Sequence, residues 1–132
     1  MKFIIYGNPV TKKNSMEIIR IGNRPSLIQN KRYREYEKDF IRQVHEQRMY
    51  GKRIDKPVEI TCIYYRKEKR RVDLTNLLAC TDDCLTKAKI IEDDNFKIVK
   101  SHDGSRIFFD KENPRVEIEI KEYEDGRIYQ AT

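Results

Sequence analysis

Residues 73–94 read D-L-T-N-L-L-A-C-T-D-D-C-L-T-K-A-K-I-I-E-D-D, and the rest of the chain is organised around them. Leu74, Leu77, Leu78, Thr81, Leu85 and Ala88 recur at three- and four-residue steps. That spacing predicts a helix over 74–88 with one apolar stripe turned towards a sheet. Asn76, Cys80, Asp83 and Lys87 then share the opposite, accessible face. Asp73 stands at the mouth of this helix, where a carboxylate can cap free N–H groups. Capping is one reason to find an acid there; binding a ligand is another.

The same stretch carries six acids (Asp73, Asp82, Asp83, Glu92, Asp93, Asp94) against two lysines, inside a 132-residue chain of net charge +6. Nucleic-acid cleavage uses both signs: a basic surface holds phosphates while carboxylates hold a metal ion against one of them. The sequence pI of about 9.2 favours an anionic partner such as DNA, RNA or an acidic membrane. No apolar run approaches the roughly 20 residues of a membrane span. The N-terminus lacks a signal-peptide pattern, so an intracellular, cytoplasmic protein with no membrane partner is expected. Cys62, Cys80 and Cys84 are an odd number without framework spacing and are expected to be free thiols. Cys80 and Cys84 lie four residues apart, but no second ligand pair accompanies them to build a zinc site.

Working outward, the residues before the stretch are Arg66-Lys67-Glu68-Lys69-Arg70-Arg71, five of six basic. Most short charge runs are solvated loops; beside an acidic island, this one also reads as a phosphate clamp. It follows the clearest strand, 58–65, rich in β-branched and aromatic residues. Upstream, Tyr33, Tyr36, Phe40, Ile41 and Val44 give a helix over 33–49, ended near Gly51 and followed by Pro57. Residues 17–20 and 26–29 flank the turn signal Gly22-Asn23-Arg24-Pro25, a small hairpin. Residues 2–6 form a short strand, and Lys12 and Lys13 lie in the polar loop beyond it. Downstream, Glu92-Asp93-Asp94-Asn95 leads into a strand over 96–101, and 115–123 alternates as a half-exposed strand. The predicted order is strand, hairpin, helix, strand, helix, strand, strand. It describes one α+β domain over 1–123, a mixed β-sheet with two main helices packed on one face, and a frayed tail at 124–132.

Magnesium takes oxygen ligands and often binds through one or two carboxylates plus substrate phosphate. Asp73 with Asp93 or Asp94 would suffice, but a 15-residue helix is about 22 Å long. Residues 89–92 can return about 14 Å of that. Either the helix is shorter, or the chain folds back beside it, or a second subunit completes the site. No Gly-rich phosphate loop, H-E-x-x-H motif, EF-hand loop or serine–histidine–acid triad offers another chemistry.

Asp73-Leu74-Thr75-Asn76-Leu77-Leu78, followed by Asp83, Leu85 and the Asp93-Asp94 pair, resembles the RusA family of Holliday junction resolvases. Tyr6-Gly7-Asn8-Pro9 with Lys12-Lys13-Asn14 is similar to that family's N-terminal G-x-P-x-x-K segment. The resemblance implies a small α+β homodimer of a bacterial or phage-bearing cell that cuts four-way DNA junctions with Mg²⁺, or Mn²⁺ in its place. It implies that Asp73 and Asp94 ligate the metal, with Asp93 and Asp83 as supporting carboxylates, and that hydrolysis uses metal-activated water. Lys12, Lys13, Lys69, Arg70, Arg71, Asn76 and Lys87 are the residues expected to contact DNA. Thr75 stands where the family often has a second acid, and Ala79 where it has a lysine. Those two positions keep open a DNA-binding protein that does not cleave. A capped helix with incidental acids would instead suit an RNA-binding or protein-interaction module.

Overall fold

The structure, a computed structural model, describes residues 1–11, 16–29 and 31–124. The elements run β1 (Lys2–Tyr6), β2 (Met16–Ile21), β3 (Arg24–Gln29), α1 (Lys31–Glu46), β4 (Val58–Arg66), α2 (Leu74–Lys87), β5 (Val99–Ser101), β6 (Arg106–Phe109) and β7 (Arg115–Glu122). β4 is the centre. Val58, Ile60, Cys62, Tyr64 and Arg66 point inward and are buried, while the residues between them are half-buried. A period of two puts one face of a strand into the core.

β7 lies antiparallel on one side of β4 and β1 lies antiparallel beyond β7, giving the order β1-β7-β4-β5. On its other side, β4 pairs in parallel with β5 near its start and with β6 near its end. The sheet is therefore mixed, as expected. Phe3, Ile5, Val116, Ile118 and Ile120 join the inward face of β4 beneath the two helices. Parallel pairing of β4 with β5 requires a crossover, and α2 provides it.

Three sequence expectations change. The strand expected over 96–101 begins only at Val99, because residues 96–98 form a turn. The Asn95 side-chain oxygen accepts from the Lys97 N–H at 2.9 Å, and its carbonyl accepts from Ile98 and Val99. A side chain of this type competes with extended backbone for the local N–H groups. β6 was not anticipated: four residues carry too little periodicity to announce a strand, and its partner is β4. In the hairpin, Gly22 and Asn23 alone form the turn, with Arg24 and Pro25 already paired to Ile21 and Arg20. Gly22 has φ +65°, as the first central residue of a two-residue type II′ turn requires.

α2 is less exposed than its pattern suggested. Leu77, Leu78, Thr81, Leu85 and Ala88 face the core as predicted, but Cys80 and Cys84 are buried as well. α1 covers that flank: the Tyr33 hydroxyl donates to Asp83 Oδ2 at 2.7 Å, and Lys87 Nζ reaches Glu37 Oε2 at 2.9 Å. All three cysteines are free and buried. Burial pushes the Cys62 thiol up to about 12, so it stays protonated and serves as packing.

Candidate active site

Asp73 occupies the N-cap position of α2 with extended backbone (φ −91°, ψ 132°), yet its carboxylate makes no capping hydrogen bond. The backbone carbonyl of Asp73 accepts from Asn76 N–H at 3.1 Å, and its Oδ2 accepts from Asn76 Nδ2 at 3.3 Å. The capping explanation for this acid therefore falls away. Asp73 instead lines a cleft of about 550 Å³ together with Arg32, Arg66, Arg70, Arg71 and Asn76. The cleft forms because β4 ends at Arg66 and the chain must climb from the sheet to the start of α2, carrying the basic run over the opening. Thr11 and Tyr33 close its other walls.

The remaining acids lie towards the other end of the helix. Asp93 Oδ1 accepts from the Asp94 backbone N–H at 2.7 Å, and its Oδ2 accepts from Asn95 Nδ2 at 3.0 Å. Partial burial raises the Asp94 carboxyl above its ordinary range, and Asp93 and the charge on Asp82 push the same way. Asp94 therefore sits close enough to Asp82 to feel it. Asp82 is itself buried at 9% exposure, with Oδ2 2.8 Å from His102 Nε2 and Oδ1 without a hydrogen-bond partner among the described residues. Asp82 lies nine positions along the helix from Asp73, a rise of about 13 Å. Among the described residues, no three His, Cys, Asp or Glu side chains converge to hold a metal.

A family model described as Endodeoxyribonuclease RusA matches residues 7–121. The chain belongs to the RusA family. Its activity is that of the family, an endonuclease that resolves Holliday junctions in recombination and repair, and its partner is branched DNA. No curated protein matches the chain. No helix among the described residues is long and apolar enough to cross a membrane.

Against the RusA pattern, the structure gathers some of the expected residues and separates others. Asp73, Asn76, Arg70 and Arg71 meet in one cleft. Lys69 lies beside them, its Nζ 5.0 Å from the centre of the exposed Phe109 ring. Asp93 and Asp94 form a second group near Asp82. Asp83 points to neither: it accepts from Tyr33 and lies 3.5 Å from Lys87 Nζ, joining α1 to α2. Lys87 is thereby held between Glu37 and Asp83. Lys12 and Lys13 fall outside the described residues, although Thr11, just before them, lines the cleft. Thr75 and Ala79 are both exposed on α2.

Sequence reasoning missed Arg32 and the Asp82–His102 pair, and it read Arg66 only as part of a basic run that could clamp phosphate, not as a buried strand residue. Arg66 carried a readable signal: it continues the inward phase 58, 60, 62, 64 of β4, but its place in a basic run assigned it to a loop. Arg32 and His102 had none, since each reaches its place only through chain segments far apart in sequence.

Proposed function

We propose that this RusA-family chain cleaves four-way junctions as a magnesium-dependent homodimer, with Asp73, Asp93 and Asp94 as its metal-binding and catalytic carboxylates. The observation that carries this reading is the placement of Asp73 in an arginine-lined cleft within a chain matched by the family over residues 7–121. The donors fit magnesium: all are hard carboxylate oxygens, and the crowding that raises Asp94 is what a divalent cation relieves. Manganese, with similar ligand preferences, is expected to substitute.

Magnesium, when bound, supplies an acidified water and neutralises charge on the phosphate. The chain's own residues do the rest. Arg70, Arg71 and Asn76 hold the DNA backbone beside Asp73, with Lys69, Lys12 and Lys13 extending the basic surface along the strand. Water attacks phosphorus, one P–O bond breaks, and the departing oxygen takes up a proton. Asp83 and Lys87 act behind the site by fixing α2 against α1.

Reach supports the dimer. Asp94 lies near Asp82, about 13 Å of helix rise from Asp73, so the two acid groups are set apart along α2 within one chain. A two-fold partner brings the second group of one chain towards the first of the other, and places two equivalent sites on opposing strands of a junction. A DNA substrate suits a protein of the cytoplasm of a bacterial or phage-bearing cell.

The test is incubation of a labelled four-way junction with wild type, Asp73→Asn and Asp94→Asn, with and without Mg²⁺, beside a linear duplex. Paired symmetric nicks that need the metal, and that both substitutions abolish while binding persists, are expected. Junction binding without nicks in Mg²⁺ or Mn²⁺ would sink the catalytic reading.

A further inference from the structure

Arg66 is the last residue of β4 and is only 6% exposed. Its Nη1 donates to the Arg70 carbonyl at 3.2 Å, which fixes the plane of the guanidinium. Its Nε is buried and has no hydrogen-bond partner among the described residues. Buried charges are ordinarily paired and buried donors ordinarily satisfied, so an orphaned guanidinium edge marks a missing acceptor. The nearby acid, Glu68, is 3.8 Å from Arg32.

Among the described residues, the cleft that Arg66 lines has four guanidinium groups, from Arg32, Arg66, Arg70 and Arg71, and a single carboxylate, Asp73. The positive end of the α2 dipole adds to that field. Burial lowers the affinity of Arg66 for its proton, and the like charges of Arg32 and Arg70 lower it further against the pull of Glu68. An anion in the cleft reverses each of these penalties. At about 550 Å³ the space suits a phosphate and its flanking sugars, not a duplex.

We infer that this cleft is a single-phosphate site anchored by the buried Arg66 Nε–H, and that it takes one backbone phosphate of the DNA strand lying beside Asp73. That the phosphate belongs to DNA rests on the resolvase reading; that the cleft binds phosphate does not. Arg66 is a positioning residue here: a guanidinium meets two phosphate oxygens side by side, which sets the strand's register, whereas an ammonium does not.

The experiment follows the arginine Nε–H signals of the ¹⁵N-labelled full-length chain by NMR. Inorganic phosphate, a thymidine dinucleotide with one internal phosphodiester, and chloride at matched ionic strength are titrated separately. The Arg66 Nε–H is expected to move saturably with phosphate and with the dinucleotide, and to stay put in chloride. Arg66→Lys is expected to weaken junction binding about tenfold. Arg42→Gln, which removes an exposed charge on α1, is expected to change it less than about twofold.

An Arg66 signal unmoved while other arginines shift overturns the site, as does equal weakening by Arg66→Lys and Arg42→Gln. A response to inorganic phosphate alone overturns the assignment to the DNA backbone. If Arg66→Lys fails to fold, the wild-type titration decides by itself. A saturable Arg66 shift in a protein that never nicks junctions keeps the phosphate site and removes the resolvase chemistry. Nicking without any Arg66 shift does the reverse.

Discussion

His102 Nε2 stands 2.8 Å from Asp82 Oδ2, tying the segment after β5 to the buried side of α2, while Nδ1 stands 3.1 Å from the Ile60 carbonyl oxygen. Two acceptors ask for two donors, which only the imidazolium has. Burial alone pulls the His102 pKa down, but the hydrogen bond and charge of Asp82, with the Ile60 carbonyl, outweigh it and the net shift is upward. A raised folded value gives stability that is complete below the unfolded value, about 6.5, and is lost as pH rises through the folded value. His102→Gln is therefore expected to cost most near about pH 6 and least near about pH 9. Partial exposure should hold the difference to about 1 kcal/mol. Urea denaturation of both proteins across that range checks it; a pH-independent difference would show that the histidine is neutral.

Tyr33 is buried and its hydroxyl donates to Asp83 at 2.7 Å across the α1–α2 junction. Tyr33→Phe keeps the ring packing and removes this donor, while Asp83 keeps its ion pair with Lys87. The expected loss is roughly 1–2 kcal/mol in chemical denaturation. A loss below about 0.3 kcal/mol would mean Lys87 and water compensate fully.

Asp73 and Asp94 should separate function from stability. Asp73 makes no capping bond, so Asp73→Asn is expected to change stability by less than about 0.5 kcal/mol. Asp94 is crowded by Asp93 and Asp82, so Asp94→Asn is expected to leave the melting temperature unchanged or raise it. Both are expected to abolish Mg²⁺-dependent cleavage. A cleavage loss matched by a large drop in melting temperature would return these acids to a structural role.

Lys89 ends α2 with φ +60°, a left-handed conformation that disfavours side chains. Its N–H bonds to the Thr86 carbonyl at 3.1 Å and the Ile90 N–H to the Leu85 carbonyl at 3.0 Å, the paired bonds of a Schellman ending. The following Ile90, fully buried, fixes that geometry by burying its side chain in the core. Lys89→Gly is expected to stabilise the fold by about 0.5–1 kcal/mol, read as a higher urea midpoint at unchanged slope.

The outline was legible where patterns are local. The alternation through β4 and β7 and the stripe of α2 each declare a buried face without reference to any other segment. The free cysteines and the turn at Gly22 were equally local readings. β6 was not, because its four residues become a strand only by pairing with residues 63–66 of β4. Nor was the burial of Cys80 and Cys84, which needs α1 laid across a flank that the helix pattern alone leaves open.

The same division runs through the site. Sequence alone determined that acids cluster around one helix, that a basic run precedes it, and that the pattern resembles RusA, because those facts concern neighbours in the chain. Asp73, Arg70 and Arg71 share one cleft because they are near neighbours in the chain. Tertiary structure decided the rest. It drew Arg32 and Arg66 into the same cleft, bound Asp83 to Tyr33 and Asp82 to His102, and set Asp94 within the field of Asp82, far along a rigid helix from Asp73. A helix fixes distances along its own axis, whereas which distant segments meet its two ends depends on how the whole sheet buries its apolar face.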